Sequence, residues 1–586
     1  MRLTSRFSAH WALAVLLGAG AACSDNPSGP DIPAVPTGIT ATASGATTVT
    51  ISYAAVPGAT SYTIQRASAG AAATQIGTST TTSYTDNTVA AATTYSYTVA
   101  ASNGSAQSGF SAIVTVTTLA LGPKVATLKD NIVANRTLYA DTVYTLNGYV
   151  KVRTGATLTI QPGTKIVGDT TVAGSSLWIT RGGKIDAQGT AAAPIVFTSA
   201  RAAGNRAPGD WGGIIIVGNA LVNRSAGGGV PTMFTEGPQG TGQNTGENYG
   251  GGTDANDNSG TLRYVRIEFA GFAVLQDQEL NALSMYAVGR GTKIEYVQAL
   301  AGLDDSFEWF GGSVDGRYLV SYDAGDDHFD WTEGYNGRNQ FLVALQTFQP
   351  SPRAGAGFVS VDPRGFEGDG CEVEKAGCTS HLTEPLSRPV FANFSLVGPG
   401  RGVAFANITS NTGATLRRGT AGTFVNGIIS RWQGVGINLR DAATDNFRSI
   451  DSLTVQSVVL IDNNTATVND GTNNYDAVGS TCTATGSGGN CGTQANLPNT
   501  TALVGFATAF PGIPASGVAP TLGSIDWTPG TLANLHASAM SALAPLIAAR
   551  GTGYFGATIV GTNYVGAADP AAATKWWAGW TNYARN

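Results

Sequence analysis

Two copies of an acidic, aromatic motif lie 22 residues apart and hold the residues best suited to chemistry. The first copy spans 304–312 (DDSFEWFGG) and the second spans 326–334 (DDHFDWTEG). Each copy opens with an aspartate pair and carries another acid at its fifth position. If the copies stack, several carboxylates meet at one place. Such a cluster is costly unless protons or a cation neutralise it.

Three roles are open to these carboxylates. Calcium is a hard cation that takes roughly six to eight oxygen ligands. The predicted calcium ligands are Asp304, Asp305, Glu308, Asp326, Asp327 and Asp330. In the second role Asp304, Asp305, Asp326 and Asp327 would be catalytic acids. In the third role the aspartates only cap turns through hydrogen bonds from their side chains to the backbone.

Alternation within the motifs predicts which side chains enter a core. Phe307 and Trp309 share one parity, and Phe329 and Trp331 repeat it in the second copy. Residues two apart on a strand lie on the same face of the sheet. These aromatic side chains are therefore predicted to be core, and only the carboxylates remain candidates for function.

The spacing also predicts the elements that must position the carboxylates. Tyr296-Val297 precedes the first copy, and Tyr318-Leu319 precedes the second at the same 22-residue interval. A fixed period indicates stacked repeats, and this length suits one coil of a β-solenoid. Short β-branched runs that end in Gly or small polar residues continue the pattern, as at 155–166. A β-sandwich array would not predict this register.

We therefore predict a right-handed parallel β-helix with loop insertions over 124–530, followed by a C-terminal capping segment over 531–586. Trp576, Trp577 and Trp580 are expected to cap the coils or fold back on them. A sugar-stacking platform is the alternative role for these three rings.

Residues 33–119 form a separate unit of alternating, turn-separated runs. The runs are 49–53, 62–66, 95–99 and 113–116. Tyr95 follows Val89 by six residues, the spacing of a tyrosine corner, and Tyr53 stands where a tryptophan is usual. This unit resembles a fibronectin type III domain. The resemblance implies a β-sandwich that serves as a spacer or adhesion module, without assigning it a ligand.

The N-terminus predicts export and lipidation. Arg2 and Arg6 precede a short apolar stretch, so residues 1–22 are interpreted as a lipoprotein signal peptide. The segment 20–23 (GAAC) resembles a lipoprotein cleavage box, which makes Cys23 the predicted lipidation site. Residues 23–32 form a tether rich in Pro, Ser and Gly. We expect a lipid-anchored protein of the Gram-negative outer membrane, exposed at the surface.

The remaining cysteines fall into two pairs that are close in sequence. Cys371 lies near Cys378, and Cys482 lies near Cys491. An oxidising compartment predicts a disulfide within each pair. Zinc is the alternative, but the spacing within each pair is too wide for a zinc ribbon.

Composition excludes several classes of function. Charged residues make up only 12% of the chain, the formal net charge is -6, and there is no basic stripe. Nucleic acid is therefore not an expected partner. Residues 254–260 begin like an EF-hand loop, but its twelfth position is Val265, so the motif fails. The sequence contains neither a metalloprotease motif nor a Gly-x-Ser-x-Gly nucleophile elbow.

The region from 124 to 586 resembles a largely uncharacterised family of bacterial surface-anchored lipoproteins with a right-handed parallel β-helix. The segments that carry the resemblance are 155–166, 208–214, 262–271, the two acidic motifs, 417–420 and 576–581. The resemblance implies a fold and a surface location. It does not imply a particular activity.

Together these features predict an adhesin or glycan-binding β-helix on the cell surface, with acidic coils structured by Ca²⁺. Its expected partners are the membrane, through the N-terminal lipid, and a polysaccharide or surface protein. One alternative is a lyase or glycoside hydrolase acting on acidic polysaccharides. Gly325-Asp326-Asp327 resembles the aspartate pair of polygalacturonase-type glycosidases, although their Gly-His-Gly and Arg-Ile-Lys elements are absent. A structural component of the surface is the third hypothesis.

Overall fold

The computed structural model divides the chain into two compact units, Met1–Gly122 and Pro123–Asn586. The residues it describes are 31–224, 233–238, 240–241, 245–250, 252–275, 278–373, 375, 377–400, 411–450, 452–456, 458–461, 463, 510–513, 525–530 and 559–584. The predicted signal peptide, Cys23, Cys482 and Cys491 lie outside these residues. Within the described ranges no helix is both long enough and apolar enough to cross a membrane.

The first unit is a sandwich of two antiparallel sheets. Its strands are β1 (Thr40–Ala43), β2 (Val49–Ser52), β3 (Ser61–Ser68), β4 (Thr74–Ser79), β5 (Ser83–Asp86), β6 (Thr94–Ser102) and β7 (Val114–Thr117). One sheet has the order β1-β2-β5 and the other β4-β3-β6-β7. Alternate residues such as Ile51, Ile64 and Val99 face the shared core. The Ala90 N–H donates to the Tyr95 hydroxyl over 2.9 Å, which confirms the tyrosine corner.

The second unit consists almost entirely of short strands. They are β8 (Lys124–Leu128), β9 (Arg136–Leu138), β10 (Thr142–Leu146), β11 (Tyr149–Val152), β12 (Thr157–Ile160), β13 (Lys165–Gly168), β14 (Ser176–Ile179), β15 (Lys184–Gln188), β16 (Ile195–Ser199), β17 (Ile214–Val217), β18 (Met233–Phe234), β19 (Asn248–Tyr249), β20 (Gly260–Glu268), β21 (Phe272–Leu275), β22 (Gln278–Leu280), β23 (Leu283–Tyr286), β24 (Lys293–Leu300), β25 (Phe307–Phe310), β26 (Asp315–Tyr322), β27 (Phe329–Thr332), β28 (Arg338–Leu345), β29 (Arg364–Asp369), β30 (Val390–Val397), β31 (Thr412–Arg417), β32 (Gly422–Val425), β33 (Ile428–Ser430), β34 (Ile437–Leu439), β35 (Leu453–Gln456) and β36 (Val459–Ile461). One helix, α1 (Ala442–Ser449), joins them in the described part of this unit.

Two parallel sheets run through the described coils of the second unit. Sheet 1 has the main order β35-β32-β30-β28-β26-β24-β20-β16-β13-β10-β8, and sheet 2 has the order β11-β14-β17-β23-β25-β27-β29-β31-β34. The chain visits the sheets in turn, so each coil adds one strand to each sheet. The predicted fold class is therefore confirmed: a fibronectin type III-like sandwich followed by a right-handed parallel β-helix.

The strand register explains the repeated motif. In sheet 2, Phe307 pairs with Phe329 and Trp309 pairs with Trp331, so 22 residues make one coil. These four side chains are buried inside the coil, as alternation predicted. The rings of Phe307 and Phe329 stack with their centroids 5.3 Å apart. The two copies of the motif therefore occupy the same position on two successive coils, and their aromatic side chains fill the core.

A column of aromatic residues marks a bend in the long strands of sheet 1. Tyr264, Tyr296, Tyr318 and Phe341 have φ of 49°, 54°, 58° and 63°. Left-handed backbone is uncommon for bulky residues and carries a cost. Their rings stack on one another with centroids 4.3, 4.4 and 5.0 Å apart, and this stacking offsets part of the cost. We call these four residues the aromatic ladder.

Residues 559–584, which we call the strap, run along the flank of the coils beside the aromatic ladder. Trp580 meets Tyr264 edge-on, with the ring centroids 5.7 Å apart. Further along, the Asn393 amide donates to the Thr562 hydroxyl over 2.9 Å. This part of the predicted capping segment therefore folds back on the side of the coils.

Candidate metal centre

The chain enters each sheet 2 strand through a turn that holds the aspartates. The Asp305 N–H donates to Asn281 Oδ1 on the previous coil over 3.1 Å, and Asp305 Oδ1 accepts the Asp327 N–H over 2.8 Å. Asp327 Oδ1 in turn accepts the Arg364 N–H over 2.6 Å. The second aspartate of each pair therefore caps backbone, as the turn-cap hypothesis proposed. The bonds join successive coils rather than closing one turn.

Four other acids line the outer side of the same coils and are half-buried: Asp304, Glu308, Asp326 and Asp330. Carboxylate oxygens of Asp304, Asp305 and Asp326 lie within 4.8 Å of one another. A second group of oxygens at the same spacing belongs to Asp305, Glu308 and Asp330. Asp305 belongs to both groups and links them. We call these five residues the acidic cluster.

Burial and mutual repulsion disfavour ionisation of the acidic cluster. Burial, and next the charge of Asp326, raise the pKa of Asp304 well above its usual range. Burial and the charge of Asp304 do the same to the pKa of Asp305. Burial and Asp330 likewise raise the pKa of Glu308. At neutral pH the cluster must therefore hold protons or gain a compensating cation.

The oxygens of the cluster fit a calcium ion. Oxygens that share one Ca²⁺ bind at about 2.3–2.6 Å from it, so they lie within about 5 Å of one another. The 4.8 Å groups meet this condition. Oδ1 of Asp326 and Oδ1 of Asp330 are buried and accept no hydrogen bond from the described protein atoms. Buried acceptors of this kind are costly unless a ligand satisfies them.

Asp327, also a predicted ligand, lies outside both oxygen groups. Its Oδ2 lies 3.3 Å from the guanidinium of Arg364, and its Oδ1 caps the Arg364 backbone. The structure thus separates the aspartates of the second motif. Asp326 belongs to the acidic cluster, whereas Asp327 accepts a backbone hydrogen bond from the next coil.

Basic side chains border the acidic cluster on the following coils, and sequence reasoning missed them. Arg364 pairs with Glu367 over 2.5 Å, and Arg417 lies 2.9 Å from the same carboxylate. Arg418 pairs with Asp369 over 2.7 Å. We call Arg364, Arg417 and Arg418 the arginine row. Although burial opposes it, the charge of Asp369 keeps the pKa of Arg417 above its usual range, so this side chain stays charged.

A disulfide ties the loop beside the arginine row. Cys371 and Cys378 are bonded, which confirms the predicted pair. Within this loop the Lys375 ammonium lies 3.6 Å from the Glu372 carboxylate. The loop therefore adds another charged pair to the same outer face.

His328 stands inside the second motif but points away from the acidic cluster. Its Nδ1 lies 2.5 Å from the Ser321 hydroxyl, and its ring meets Trp432 edge-on in the interior. Burial lowers the pKa of His328 to about 3. The side chain is therefore a neutral part of the interior and does not face the carboxylates.

Burying a neutral histidine is expected to weaken the fold in mild acid. An unfolded histidine titrates near its ordinary value of about 6.5, whereas the pKa of folded His328 is about 3. Between these values only the unfolded state binds the proton, so stability falls as pH drops, by up to about 1.4 kcal/mol per pH unit. Urea unfolding across this range should show a shallower pH slope for His328→Gln than for wild type. Identical slopes would contradict the assignment.

Known proteins resemble both units. A family model described as "Pectate-lyase like beta helix domain" matches residues 130–503. The first unit is similar to an Fn3-like protein from Clostridium thermocellum at 37% identity, over 15% of this chain and 96% of that one, with a TM-score of 0.14. It is also similar to the FN5 domain of Drosophila Lar at 23% identity, over 15% of this chain and 97% of that one, with a TM-score of 0.14. No curated protein matches the chain.

The family match covers more than half of the chain and coincides with the coils of the second unit. The strand pairing supports the same assignment independently, because both sheets are parallel and each coil contributes to both. The chain belongs to the family of pectate-lyase-like β-helix domains.

Proposed function

We propose that this protein binds an anionic polysaccharide on the outer face of sheet 2. The observation that carries the proposal is the juxtaposition of the acidic cluster and the arginine row on successive coils. Glu308, Asp330 and Glu367 are neighbours in the register of sheet 2, on successive coils. The Arg417 guanidinium forms an ion pair with Glu367. Over four coils this face therefore passes from the acidic cluster to arginines that are paired with acids.

Each half of this face suits the carboxylates of a uronic acid polymer. Calcium bound by the acidic cluster would supply positive charge for one sugar carboxylate. The guanidiniums of the arginine row, which also pair with Glu367 and Asp369, would attract the next one through their charge. A solenoid presents such groups in a ladder along its axis, which fits an extended polymer.

We also propose a setting for this binding. A lipid on Cys23 would hold the chain on the outer membrane, with the fibronectin-like unit as a spacer between membrane and β-helix. The positive start, the short apolar stretch and the cleavage box of residues 1–23 support this location. As an adhesin, the protein would join the cell to an acidic glycan.

Polygalacturonate binding tests the proposal. Calorimetry of the lipid-free chain should show binding with calcium and about tenfold weaker binding in EGTA. Asp330→Asn should lose the calcium dependence, because it removes a carboxylate charge from the oxygen group that Asp330 forms with Asp305 and Glu308. Asp141→Asn, an exposed acid far from the cluster in sequence, is the matched control and should bind as wild type. Equal binding of polygalacturonate and a neutral glucan would contradict the proposal.

Cleavage by the same face is the second candidate, because a pectate-lyase-like fold places carboxylates and guanidiniums together. A lyase needs a basic group that is deprotonated, so that it can take a proton from the sugar. The neighbouring carboxylates raise the pKa of Arg364 and of Arg417, which favours binding over proton abstraction. We therefore expect no unsaturated ends from pectic and other uronic polymers. Unsaturated products that disappear in Asp326→Asn would establish the lyase instead.

A further inference from the structure

A cavity of about 220 Å³ opens between the aromatic ladder and the strap. Tyr318 and Phe341 of the ladder form one wall, and Trp576 of the strap forms the other. Asp569 and Lys575 are the charged residues of the lining. An enclosed space of roughly 150 Å³ is enough for a benzene ring. This cavity therefore has room for one six-membered ring with substituents.

The aromatic groups offer apolar surface to the cavity rather than polar atoms. The Trp576 indole N–H donates to the Ala567 carbonyl over 2.9 Å, so its polar atom is already satisfied. The rings of Tyr318 and Trp576 lie with centroids 5.3 Å apart and planes inclined by 50°. These two rings therefore contact each other, and a flat apolar ligand surface can pack only against the parts of the aromatic side chains that border the cavity.

The polar groups of the cavity lining can form hydrogen bonds with the hydroxyl groups of a ligand. Asp569 Oδ1 accepts the Ala571 N–H over 2.8 Å, while Lys575 Nζ donates to the Asp569 main-chain carbonyl over 3.2 Å. Lys575 thus bonds the backbone of Asp569 rather than its carboxylate. A carboxylate oxygen and the further donors of an ammonium group therefore remain for a ligand.

We propose that this cavity binds one neutral pyranose unit of a glycan. A pyranose ring has an apolar C–H face for the aromatic lining and a rim of hydroxyls for Asp569 and Lys575. Asp569 and Lys575 carry opposite charges, so a neutral ring can bond to both without adding charge between them. A purely aromatic ligand would bury the Asp569 carboxylate without a donor, which is costly. This site differs from the acidic cluster in ligand charge and in having no need of calcium.

Saturation-transfer NMR with methyl glycosides of glucose, galactose, mannose and N-acetylglucosamine tests the site on the lipid-free chain. At least one glycoside should receive saturation at its ring C–H protons, equally in calcium and in EGTA. Asp569→Asn should weaken that binding about tenfold at an unchanged melting temperature. Asp141→Asn and Asp330→Asn should leave it unchanged. These two controls separate failure at this site from failure of the calcium-dependent one.

Several outcomes would overturn the proposal. One is a panel in which no glycoside receives saturation. A second is binding that Asp569→Asn and Trp576→Phe both leave at wild-type strength. A third is galacturonate or p-cresol binding more tightly than every neutral glycoside, because each would show a different ligand chemistry.

Discussion

Replacing Trp580 with alanine is expected to destabilise the second unit by about 3 to 5 kcal/mol, the usual cost of truncating a buried tryptophan. The side chain is 0% exposed and meets both Tyr264 and Tyr296 edge-on. Its indole N–H donates to the Trp576 carbonyl over 2.8 Å, and its own carbonyl accepts from Arg266 over 3.3 Å. Truncation therefore opens a cavity where the strap meets the aromatic ladder.

Urea unfolding followed by tryptophan fluorescence measures this loss. All tryptophans after Trp11 lie beyond residue 122, so their fluorescence follows the second unit. Phe358→Ala is the matched control, because that ring is 93% exposed and its removal should change stability by less than about 0.5 kcal/mol. Equal effects of the two substitutions would mean that the strap contributes little to the fold.

Calcium removal is expected to cause the second large loss of stability. An ion at roughly 100 to 1,000 times its Kd stabilises the folded state by about 3 to 4 kcal/mol. EGTA should remove that contribution near pH 7 and lower the melting temperature. Near pH 4 the effect should be much smaller, because protons then neutralise the carboxylates and compete with the ion.

The sign of the pH dependence follows from the raised pKa values of the cluster. Above the ordinary pKa of about 4, unfolded aspartates release protons while the folded cluster retains them. Without calcium, stability therefore falls as pH rises from that value through the pKa of folded Asp304 and Asp305. With calcium bound, the ionised cluster is compensated and this loss disappears.

Substitution within the cluster separates this prediction from a general effect of the chelator. In EGTA near pH 7, Asp330→Asn should be more stable than wild type, because it removes repulsion with Glu308. Its melting temperature should respond less to calcium, whereas Asp141→Asn should respond as wild type. Superimposable melting curves of wild type with and without EGTA would rule out a structural ion.

The sequence was sufficient to predict the coil, because the 22-residue period is uninterrupted across the two acidic motifs. Strands β24 to β27 repeat at 22 residues, and the aromatic parity of Phe307 and Trp309 places them inside. The left-handed backbone of the aromatic ladder was not predictable in the same way. Tyrosine rarely adopts this conformation, and only the stacked neighbours on adjacent coils make it tolerable.

The position of the arginine row beside the acidic cluster could not be predicted from the sequence, because loop insertions break the 22-residue period. Asp330 pairs with Glu367, a separation of 37 residues instead of 22, because a loop enters that coil. Arg417 reaches Asp369 across a separation of 48 residues, because the next coil is interrupted as well. Partners that lie one coil apart become neighbours only when the register is known. The same reason concealed the role of Asp327, whose capped backbone belongs to Arg364.

The strap also sets an order of assembly. Its contact between Trp580 and Arg266 spans 314 residues, so it cannot form until the intervening coils have been made. Closing so long a loop is slow, because the chain entropy is lost before the contact is gained. A chain that has not yet delivered residue 559 leaves the rings of the aromatic ladder without the strap beside them. Such exposed apolar surface favours aggregation of unfinished chains, and docking of the strap covers it.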